Sequence, residues 1–306
     1  MSISRATSPK QSPSNRSLAV VGGGRGLRSV IRALPEVEGH VTVIVAIAQP
    51  AGPGSRWGDD GSDSALGEVR RSLEALSDDD RALTRAIRRP LTINRIGRHP
   101  LGNLILRSLS YAFGDLGTAS SWLAEQLGVS SSVVPASIEP LKFKIQAGEV
   151  APGQPPREAR SLDRLSLVPE HPHVSPTVVE AIGNADWVLL APGSLFRSLL
   201  AVTAIPEIAE ALRTAPGRIV WISGLQPEAG ESGNDQLDAL RRHGVRIDEV
   251  LYDPAADLRL EPELLAAPGV RAVAHDLGAL SAGTYDREKL AAALAELVAA
   301  SADPRP

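Results

Sequence analysis

The feature that most constrains this 306-residue chain is an alternation of short apolar runs with segments of helical periodicity. Strands that alternate with helices are typical of a parallel sheet covered on both faces. The strand-length runs are Leu18–Gly22, Val41–Ala48, Trp187–Ala191, Arg218–Ser223 and Val250–Tyr252. The helical segments are Gly26–Leu34, Ala65–Leu76, Leu101–Phe113, Ser120–Leu127, Arg197–Arg213 and Asp235–His243, with a last helix that Asp286 can cap. This alternation predicts a doubly wound, mostly parallel, Rossmann-like α/β sheet with helices on both faces.

The domain boundaries follow from composition. Residues 1–17 are rich in Ser, Pro, Arg and Lys and have no acidic residue and no apolar stretch, which predicts a disordered tail and argues against a secretory signal. We expect residues 18–302 to form a single α/β domain. The Gly-, Pro- and Asp-rich segment Gln49–Asp63 follows a predicted central strand, and a loop of that length is usually functional or disordered.

Charge and cysteine content limit the classes of partner. A net charge of -4 argues against binding nucleic acid through a broad basic face. The absence of cysteine excludes disulfides and cysteine nucleophiles and fits a reducing cytoplasm. The longest apolar run, Val41–Ala48, is too short to cross a bilayer. We therefore expect a cytoplasmic protein with a small-molecule ligand.

A glycine-rich turn follows the first predicted strand. Its residues are Gly22, Gly23, Gly24, Arg25, Gly26 and Leu27. A strand followed by glycines and a helix points free backbone N–H groups at an anion, which predicts phosphate binding. A dinucleotide coenzyme is disfavoured, because Leu27 stands where the third fingerprint glycine is needed and Gln49-Pro50 brings no acid to the end of the second strand. A tight turn that binds nothing remains the alternative.

Two further segments carry candidate ligand-binding residues. After the predicted strand at Trp187 come Gly193, Ser194, Leu195, Arg197 and Ser198. Ser194 can cap the following helix or offer its hydroxyl and N–H groups to a phosphate, and the two readings stay open.

His99 and Asn103 are four residues apart at a predicted helix entrance. Both could therefore face one ligand, although a lone histidine there is more often structural.

These segments, taken in order, resemble a known family. The motifs are the glycine turn, Arg98-His99-Pro100-Leu101-Gly102-Asn103-Leu104, Val134-Pro135-Ala136-Ser137, the segment Ala191–Ser198, and Gly224-Leu225-Gln226-Pro227 with Gly230-Glu231. Together they resemble the family that unites the gluconeogenesis factor YvcK with the 2-phospho-L-lactate transferase CofD. The resemblance covers nearly the whole folded chain, from about Leu18 to about Leu297.

The resemblance implies a ligand cleft at the carboxyl ends of the strands. On the transferase side, that cleft would bind a deazaflavin acceptor and a guanylylated donor with magnesium. On the YvcK-like side, it would bind nucleotide sugars and regulate carbon metabolism and cell-wall shape. The segment Gln226-Pro227 with Gly230-Glu231 favours the YvcK-like side. A homodimer is reasonable for this family.

One departure from the family pattern affects the metal. Where the family carries an aspartate pair, this chain has Gln49-Pro50, and where it carries Gly-Asp-Ile-Arg-Asn, this chain has a segment from Gly67 to Arg71 with Glu68 at the acidic position. Magnesium prefers carboxylate oxygens, so the loss of the pair removes an expected metal site. The acidic stretch Asp59-Asp60 lies ten residues late and is more typical of a solvated loop. Another departure is Thr284-Tyr285-Asp286, where the family often has a basic residue before His-Asp.

The sequence thus predicts a divergent YvcK-like protein that binds a nucleotide-type ligand, either UDP-sugar-like or guanosine-nucleotide-like. We expect regulation by ligand binding without turnover and without a required cofactor. The alternative is a CofD-like phospholactate or phosphoenolpyruvate transferase with an altered metal site, which would need Mg²⁺. A third possibility is a member that has lost its ligand and acts as an interaction partner.

Overall fold

A computed structural model of the chain describes residues 16–34, 39–50, 62–93, 97–139, 141–146, 164–227, 231–261, 269–278 and 284–299. Residues 1–15 of the predicted tail and the acidic stretch Asp59-Asp60 fall outside these residues. The division into a tail and one domain ending at residue 302 therefore stays a prediction. The first strand begins at Ser17, whose N–H donates to Asp186 Oδ2 at 2.8 Å.

Parallel strands form the main sheet, in the order β12-β11-β10-β9-β1-β2-β6. These strands are β1 Ser17–Gly22, β2 His40–Val45, β6 Ser132–Pro135, β9 Trp187–Leu190, β10 Arg218–Ile222, β11 Glu249–Tyr252 and β12 Arg271–Ala274. All six pairings are parallel, which confirms the predicted doubly wound sheet. The edge strands β6 and β12 were not predicted, because neither Ser132–Pro135 nor Arg271–Ala274 is a continuous apolar run.

The central strands are buried on both faces because helices cover both sides. Within β1, Ala19 and Val21 pack into the core on one face, while Leu18 and Val20 pack into the core on the other. This alternation follows from the period of two in a strand. The near-continuous apolar runs are thus typical of doubly covered parallel strands, as predicted.

Helices fill the connections between the strands. They are α1 Gly24–Ala33, α2 Ser62–Leu76, α3 Ala82–Arg88, α4 Leu101–Phe113, α5 Leu116–Leu127, α6 Pro176–Gly183, α7 Ala201–Thr203, α8 Pro206–Thr214, α9 Gly233–Arg242 and α10 Arg287–Ala299, with a π-helix at Leu195–Leu200. Asp286 caps α10 as predicted, because its Oδ1 accepts from the N–H groups of Glu288 and Lys289 at 3.0 and 3.1 Å. Within the described ranges, no helix is long and apolar enough to cross a membrane.

The prediction of one helix over Arg197–Arg213 was wrong. The segment is a π-helix, a short α7 and a separate α8 that begins at Pro206. Proline has no N–H for an intrahelical bond and clashes with the preceding turn, so it is tolerated at the first position of a new helix. The chain therefore restarts at Pro206.

Smaller strands lie outside the main sheet. The strands β3 Gln49–Pro50, β7 Lys142–Gln146 and β8 Arg164–Val168 form a three-stranded sheet, and β4 Pro90–Ile93 pairs with β5 Gly97–Pro100 as an antiparallel hairpin. None of these was predicted from the sequence. They place α4 directly after β5, and Leu101 N–H at its start donates to the carbonyl of Arg89 at 2.9 Å.

Candidate functional site

The strand order of the main sheet has one topological switch point, between β1 and β9. From β1 the chain builds outward through β2 to β6, then returns to the other side of β1 with β9 and builds outward to β12. Leu27 of α1 belongs to the core on one face, and Leu199 of the π-helix belongs to the core on the other. The helices after β1 and β9 thus leave toward opposite faces, and the crevice between such strands is where doubly wound sheets bind ligands.

Glycine is needed at positions 24 and 26, after β1, for two different physical reasons. Gly24 has φ +71°, in the left-handed region that favours glycine. A β-carbon on Gly26 would overlap the carbonyl oxygen of Pro192, so glycine lets the start of α1 touch the turn after β9. Gly23 precedes α1 without any side-chain cap. The amino end of α1 is consequently open to a partner from elsewhere.

The turn after β9 leads into the π-helix. Ser194 Oγ accepts from Arg197 N–H at 3.4 Å, and the Ser194 carbonyl accepts from Ser198 N–H at 2.9 Å. The predicted capping role of Ser194 is confirmed. A β-carbon on Gly193 would lie 3.0 Å from both Cβ and Oγ of Ser198, so this turn is also closely packed. π-Helical turns are rare and frequently occur at functional sites.

The two turns form one wall of a cleft with a volume of about 1090 Å³. The lining residues come from the turns and helices after β1 and β9, the segments after β2 and β10, α2, α9 and the segment before α10. They are Gly23, Gly24, Arg25, Gly26, Ser29, Ala46, Ala48, Glu68, Pro192, Gly193, Ser194, Arg197, Ser198, Gly224, Leu225, Gln226, Gln236, Thr284 and Tyr285.

The charged side chains that line the cleft are mostly basic. Arg25 and Arg197 are exposed and line it from the two helix starts. Among the described lining residues, Glu68 supplies the carboxylate, and its Oε2 accepts from Gly24 N–H at 3.0 Å. Burial lowers the pKa of the nearby Arg28 guanidinium, and the negative charge of Glu68 opposes that shift. Cationic side chains therefore outnumber anionic ones at the glycine turn.

Two buried polar side chains also line the cleft. Ser198 is 7% exposed and Gln236 is 4% exposed. Neither the Ser198 hydroxyl nor the Gln236 amide group has a hydrogen-bond partner among the described residues. Buried polar side chains in folded proteins almost always have a partner, from the protein, from water or from a ligand. The cleft thus presents two unused hydrogen-bonding groups.

Hydrogen bonds hold the part of the cleft that is lined by Gln226 and Tyr285. Tyr285 Oη donates to the Ser223 carbonyl at 2.6 Å, and Gln226 Nε2 donates to Asp257 Oδ2 at 2.7 Å. Burial raises the pKa of the Tyr285 hydroxyl, and the carboxylate of Asp253 adds to that shift. The tyrosine is a neutral donor already committed to the backbone, so it helps to shape the cleft.

The structure brings together most of the residues that the sequence proposed for the site. The cleft is lined by Gly23, Gly24, Arg25, Gly26, Gly193, Ser194, Arg197 and Ser198. Leu27 and Leu195 are buried in the core, and Gly22 is the last residue of β1. These three support the turns from behind.

His99 and Asn103 do not line this cleft. His99 pairs with Leu91 in the β4–β5 hairpin, and Asn103 Oδ1 accepts from Arg70 Nε at 2.8 Å. Arg70 belongs to α2 and also forms an ion pair with Glu74. In this structure Asn103 holds α4 against the helix that carries Glu68, and a direct ligand contact for His99 or Asn103 stays a prediction.

Several lining residues were not proposed from the sequence. Gly224, Leu225 and Gln226 belong to one of the motifs that carry the family resemblance. That motif was a usable signal, because it follows a predicted strand. Gln236 gave no signal, since a glutamine on an amphipathic helix looks like any surface residue. Tertiary packing alone places it at the cleft.

The donor set for a metal is small. Within the described ranges, no three His, Asp or Glu side chains are grouped so that they could hold a metal ion. Magnesium is often bound by one or two carboxylates together with substrate phosphates. A magnesium ion carried by a phosphate ligand would therefore have Glu68 as its described protein carboxylate.

Comparisons with known proteins agree with the motifs. The profile of the family described as 2-phospho-L-lactate transferase CofD matches residues 18–285. A putative gluconeogenesis factor from Deinococcus radiodurans is 32% identical over 92% of this chain, and the match spans 65% of that protein. A gluconeogenesis factor from Halalkalibacterium halodurans is 30% identical over 88% of this chain and 88% of its own length.

The fold has a solved counterpart. The crystal structure of a UPF0052-family protein from Bacillus halodurans superimposes with a TM-score of 0.77 at 25% identity, covering 92% of this chain and 99% of that one. Profile, relatives and fold agree over nearly the same residues. The chain belongs to the 2-phospho-L-lactate transferase CofD family and is a homologue of the bacterial gluconeogenesis factors.

Proposed function

We propose that the cleft binds the phosphate groups of a nucleotide-type ligand at the two turns after β1 and β9. The turn after β1 leads into α1, and the dipole of that helix favours negative charge at its start. Arg25 and Arg197 are exposed and add one positive charge to each turn. Arginine binds phosphate oxygens in a bidentate manner, so the pair suits a ligand with more than one phosphate oxygen to hold.

The observation that carries this proposal is the pair of unpaired polar groups that line the cleft, the Ser198 hydroxyl and the Gln236 amide. Ser198 Oγ lies 3.6 Å from a β-carbon position on Gly23 and 4.0 Å from one on Gly24, which places the hydroxyl between the two turns. Both groups line the cleft, where a ligand can reach them. A hydrogen bond from a ligand to either group contributes about 0.5–1.5 kcal/mol.

We infer a nucleotide sugar as ligand and a regulatory role without turnover. The homologues named gluconeogenesis factors support a link to carbon metabolism. The family resemblance extends that role to cell-wall morphogenesis in the cytoplasm of a bacterium. The neutral, hydrogen-bonded Tyr285 and the single described carboxylate of the cleft suit binding better than proton transfer or phosphoryl transfer.

Isothermal titration of the full chain with UDP, GDP and UDP-hexoses, in EDTA and in magnesium, tests this function. Gly24→Asp puts a negative charge in the glycine turn at a φ of +71°, which aspartate tolerates better than most residues. Gly244→Asp is the matched control, because Gly244 has φ +78°, open space around it and a position outside the cleft. We expect metal-independent binding, lost in Gly24→Asp and kept in Gly244→Asp.

The transferase is the second candidate, and Glu68 is the observation that favours it. A carboxylate beside a phosphate turn is what a ligand-borne Mg²⁺ would need, and the metal would neutralise charge on the transferred group. Magnesium-dependent release of guanylate with a deazaflavin acceptor would establish that activity. A protein that binds none of these ligands would contradict both functions and would favour a role as an interaction partner.

A further inference from the structure

Glu68 has an unusual position for a residue in a phosphate-binding cleft. Its side chain is 16% exposed, and its two carboxylate oxygens have different partners. Oε2 accepts from the N–H of Gly24 at 3.0 Å, and Oε1 is hydrogen-bonded to the guanidinium of Arg71. The carboxylate is thus held at the glycine turn from both sides.

The bonds with described residues leave part of this carboxylate unused. Two carboxylate oxygens offer about four acceptor sites, and Gly24 and Arg71 occupy two of them. A phosphate oxygen is also an acceptor and carries the same sign of charge, so it cannot use the remaining sites. A ligand hydroxyl can, because it donates.

Positive charges allow a carboxylate and a phosphate to be neighbours here. Arg28 interacts electrostatically with Glu68, and Arg25 and Arg71 lie near enough to act on Arg28 as well. Arg25 and Arg28 belong to α1, and Arg71 belongs to α2. The positive charges of Arg28 and Arg71 offset the negative charge of Glu68, which lowers the cost of placing a phosphate in the same cleft.

Dinucleotide folds place an acid at the end of the second strand, where it accepts hydrogen bonds from ribose hydroxyls beside the glycine turn. In this chain β2 ends at Val45 and is followed by Ala46, Ile47 and Ala48, which bring no acid. Glu68 reaches the same glycine turn from α2. The carboxylate that the second strand lacks is supplied in space by a helix.

We propose that Glu68 recognises the vicinal hydroxyls of a ribose or hexose whose phosphate lies at the glycine turn. This inference rests on the proposed nucleotide-binding function. It makes Glu68 the residue that distinguishes phosphate esters of polyhydroxylated sugars from simple phosphates and from deoxy ligands. Its role is specificity, while the turns and Ser198 supply phosphate binding.

The test compares ligand pairs that differ in one hydroxyl. The full chain is titrated with UDP and 2′-deoxy-UDP, with GDP and 2′-deoxy-GDP, and with a UDP-hexose, in EDTA and in parallel in magnesium. One hydrogen bond to a charged group changes affinity by about tenfold or more. We expect wild type to prefer the ribose form by about that factor, and Glu68→Gln to reduce the preference to less than about threefold.

Matched variants keep the result interpretable. Glutamine has the shape of glutamate and can still accept from Gly24, so Glu68→Gln should fold. Glu74→Gln removes a carboxylate from the same helix outside the cleft, where Glu74 pairs with Arg70 and Arg88. Glu74→Gln should keep the wild-type preference, and thermal melting verifies that each variant is folded.

Each outcome decides the proposal. If Glu68→Gln no longer prefers ribose ligands over deoxyribose ligands, Glu68 contacts the ribose. If Glu68→Gln no longer binds the UDP-hexose more tightly than UDP, Glu68 contacts the hexose. Equal changes in affinity for all ligands would overturn the proposal, because Glu68 would then act only through its charge. A preference that exists only with magnesium would overturn it as well. Wild type that binds the nucleotides without any hydroxyl preference would contradict Glu68 recognition alone, whereas no binding at all would contradict the proposed function too.

Discussion

The carboxylate of Glu68 caps the helix that begins at Gly24, with Oε2 3.0 Å from the backbone N–H. The helix has no acid in its own first turn and no side-chain cap from Gly23. A residue 44 positions later in the chain therefore satisfies its first donor. Because the same carboxylate lines the cleft, the stability of the glycine turn and the chemistry of the site are linked through one side chain.

The contact between the two turns predicts a large effect of a single methyl group. Gly26→Ala should lower the free energy of unfolding by about 1–3 kcal/mol or more, because the new β-carbon overlaps the Pro192 carbonyl. Gly183→Ala, on an exposed helix end with nothing within 4 Å of the new β-carbon, should be neutral or stabilising by up to about 1 kcal/mol. Urea unfolding measures both values. Similar free energies for the two variants would contradict the close approach.

Ser198→Ala should separate binding from stability. Its hydroxyl has no partner among the described residues, so the free energy of unfolding should change by less than about 1 kcal/mol. Nucleotide affinity should fall by about tenfold. Ser29 also lines the cleft, but its hydroxyl already donates to the Arg25 carbonyl at 3.3 Å, so Ser29→Ala should have a smaller effect on affinity. Titration calorimetry and urea unfolding of both variants check this, and unchanged affinity in Ser198→Ala would count against the ligand contact.

The capping box of α9 predicts a purely structural loss. Ser232 Oγ accepts from Asp235 N–H at 3.2 Å, and the Asp235 carboxylate accepts from Ser232 N–H at 2.9 Å. Ser232→Ala should cost about 1 kcal/mol of folding free energy. Ser121→Ala, at an exposed position inside α5, should not destabilise the protein. Denaturant unfolding should therefore give a lower free energy of unfolding for Ser232→Ala than for Ser121→Ala. Equal free energies would show that the capping box does not stabilise the protein.

Acid should weaken the segment before α10. The Lys289 ammonium, together with the Gly278 N–H, holds the pKa of the exposed Asp276 carboxyl below its ordinary value of 3.8. A lowered folded-state pKa gives a contribution that is present above the unfolded pKa and is lost as the pH falls through the folded pKa. NMR titration of the Asp276 carboxyl carbon should show the low pKa, and Lys289→Gln should raise it. An unchanged pKa in that variant would contradict the ion pair.

Much of the architecture could be predicted from the sequence. The runs at Leu18, Val41 and Trp187 are apolar without interruption, which requires cover on both faces, and they became the neighbouring central strands. The glycine turn was recognisable because a strand, glycines and a helix leave few alternatives. Short edge strands such as β6 were missed, and the break at Pro206 was missed inside a segment with helical periodicity.

The site was only partly predictable for a physical reason. Local sequence determines which residues end a strand or begin a helix, so the two turns, Ser194 and Ser198 were correctly grouped. It does not determine which helices face each other, so the sequence did not show that the Asn103 amide oxygen accepts a hydrogen bond from Arg70. Gln236 likewise entered the cleft through packing alone.

The sequence by itself determined the parallel α/β class, the family and the two helix starts that face the cleft, because these depend on periodicity and on neighbours in the chain. Only the tertiary structure decided that Glu68 meets Gly24, because two residues 44 positions apart become partners through the packing of α2 against α1. The replacement of an acid on one strand by an acid on a distant helix leaves no local pattern. It becomes visible only once the helices are in place.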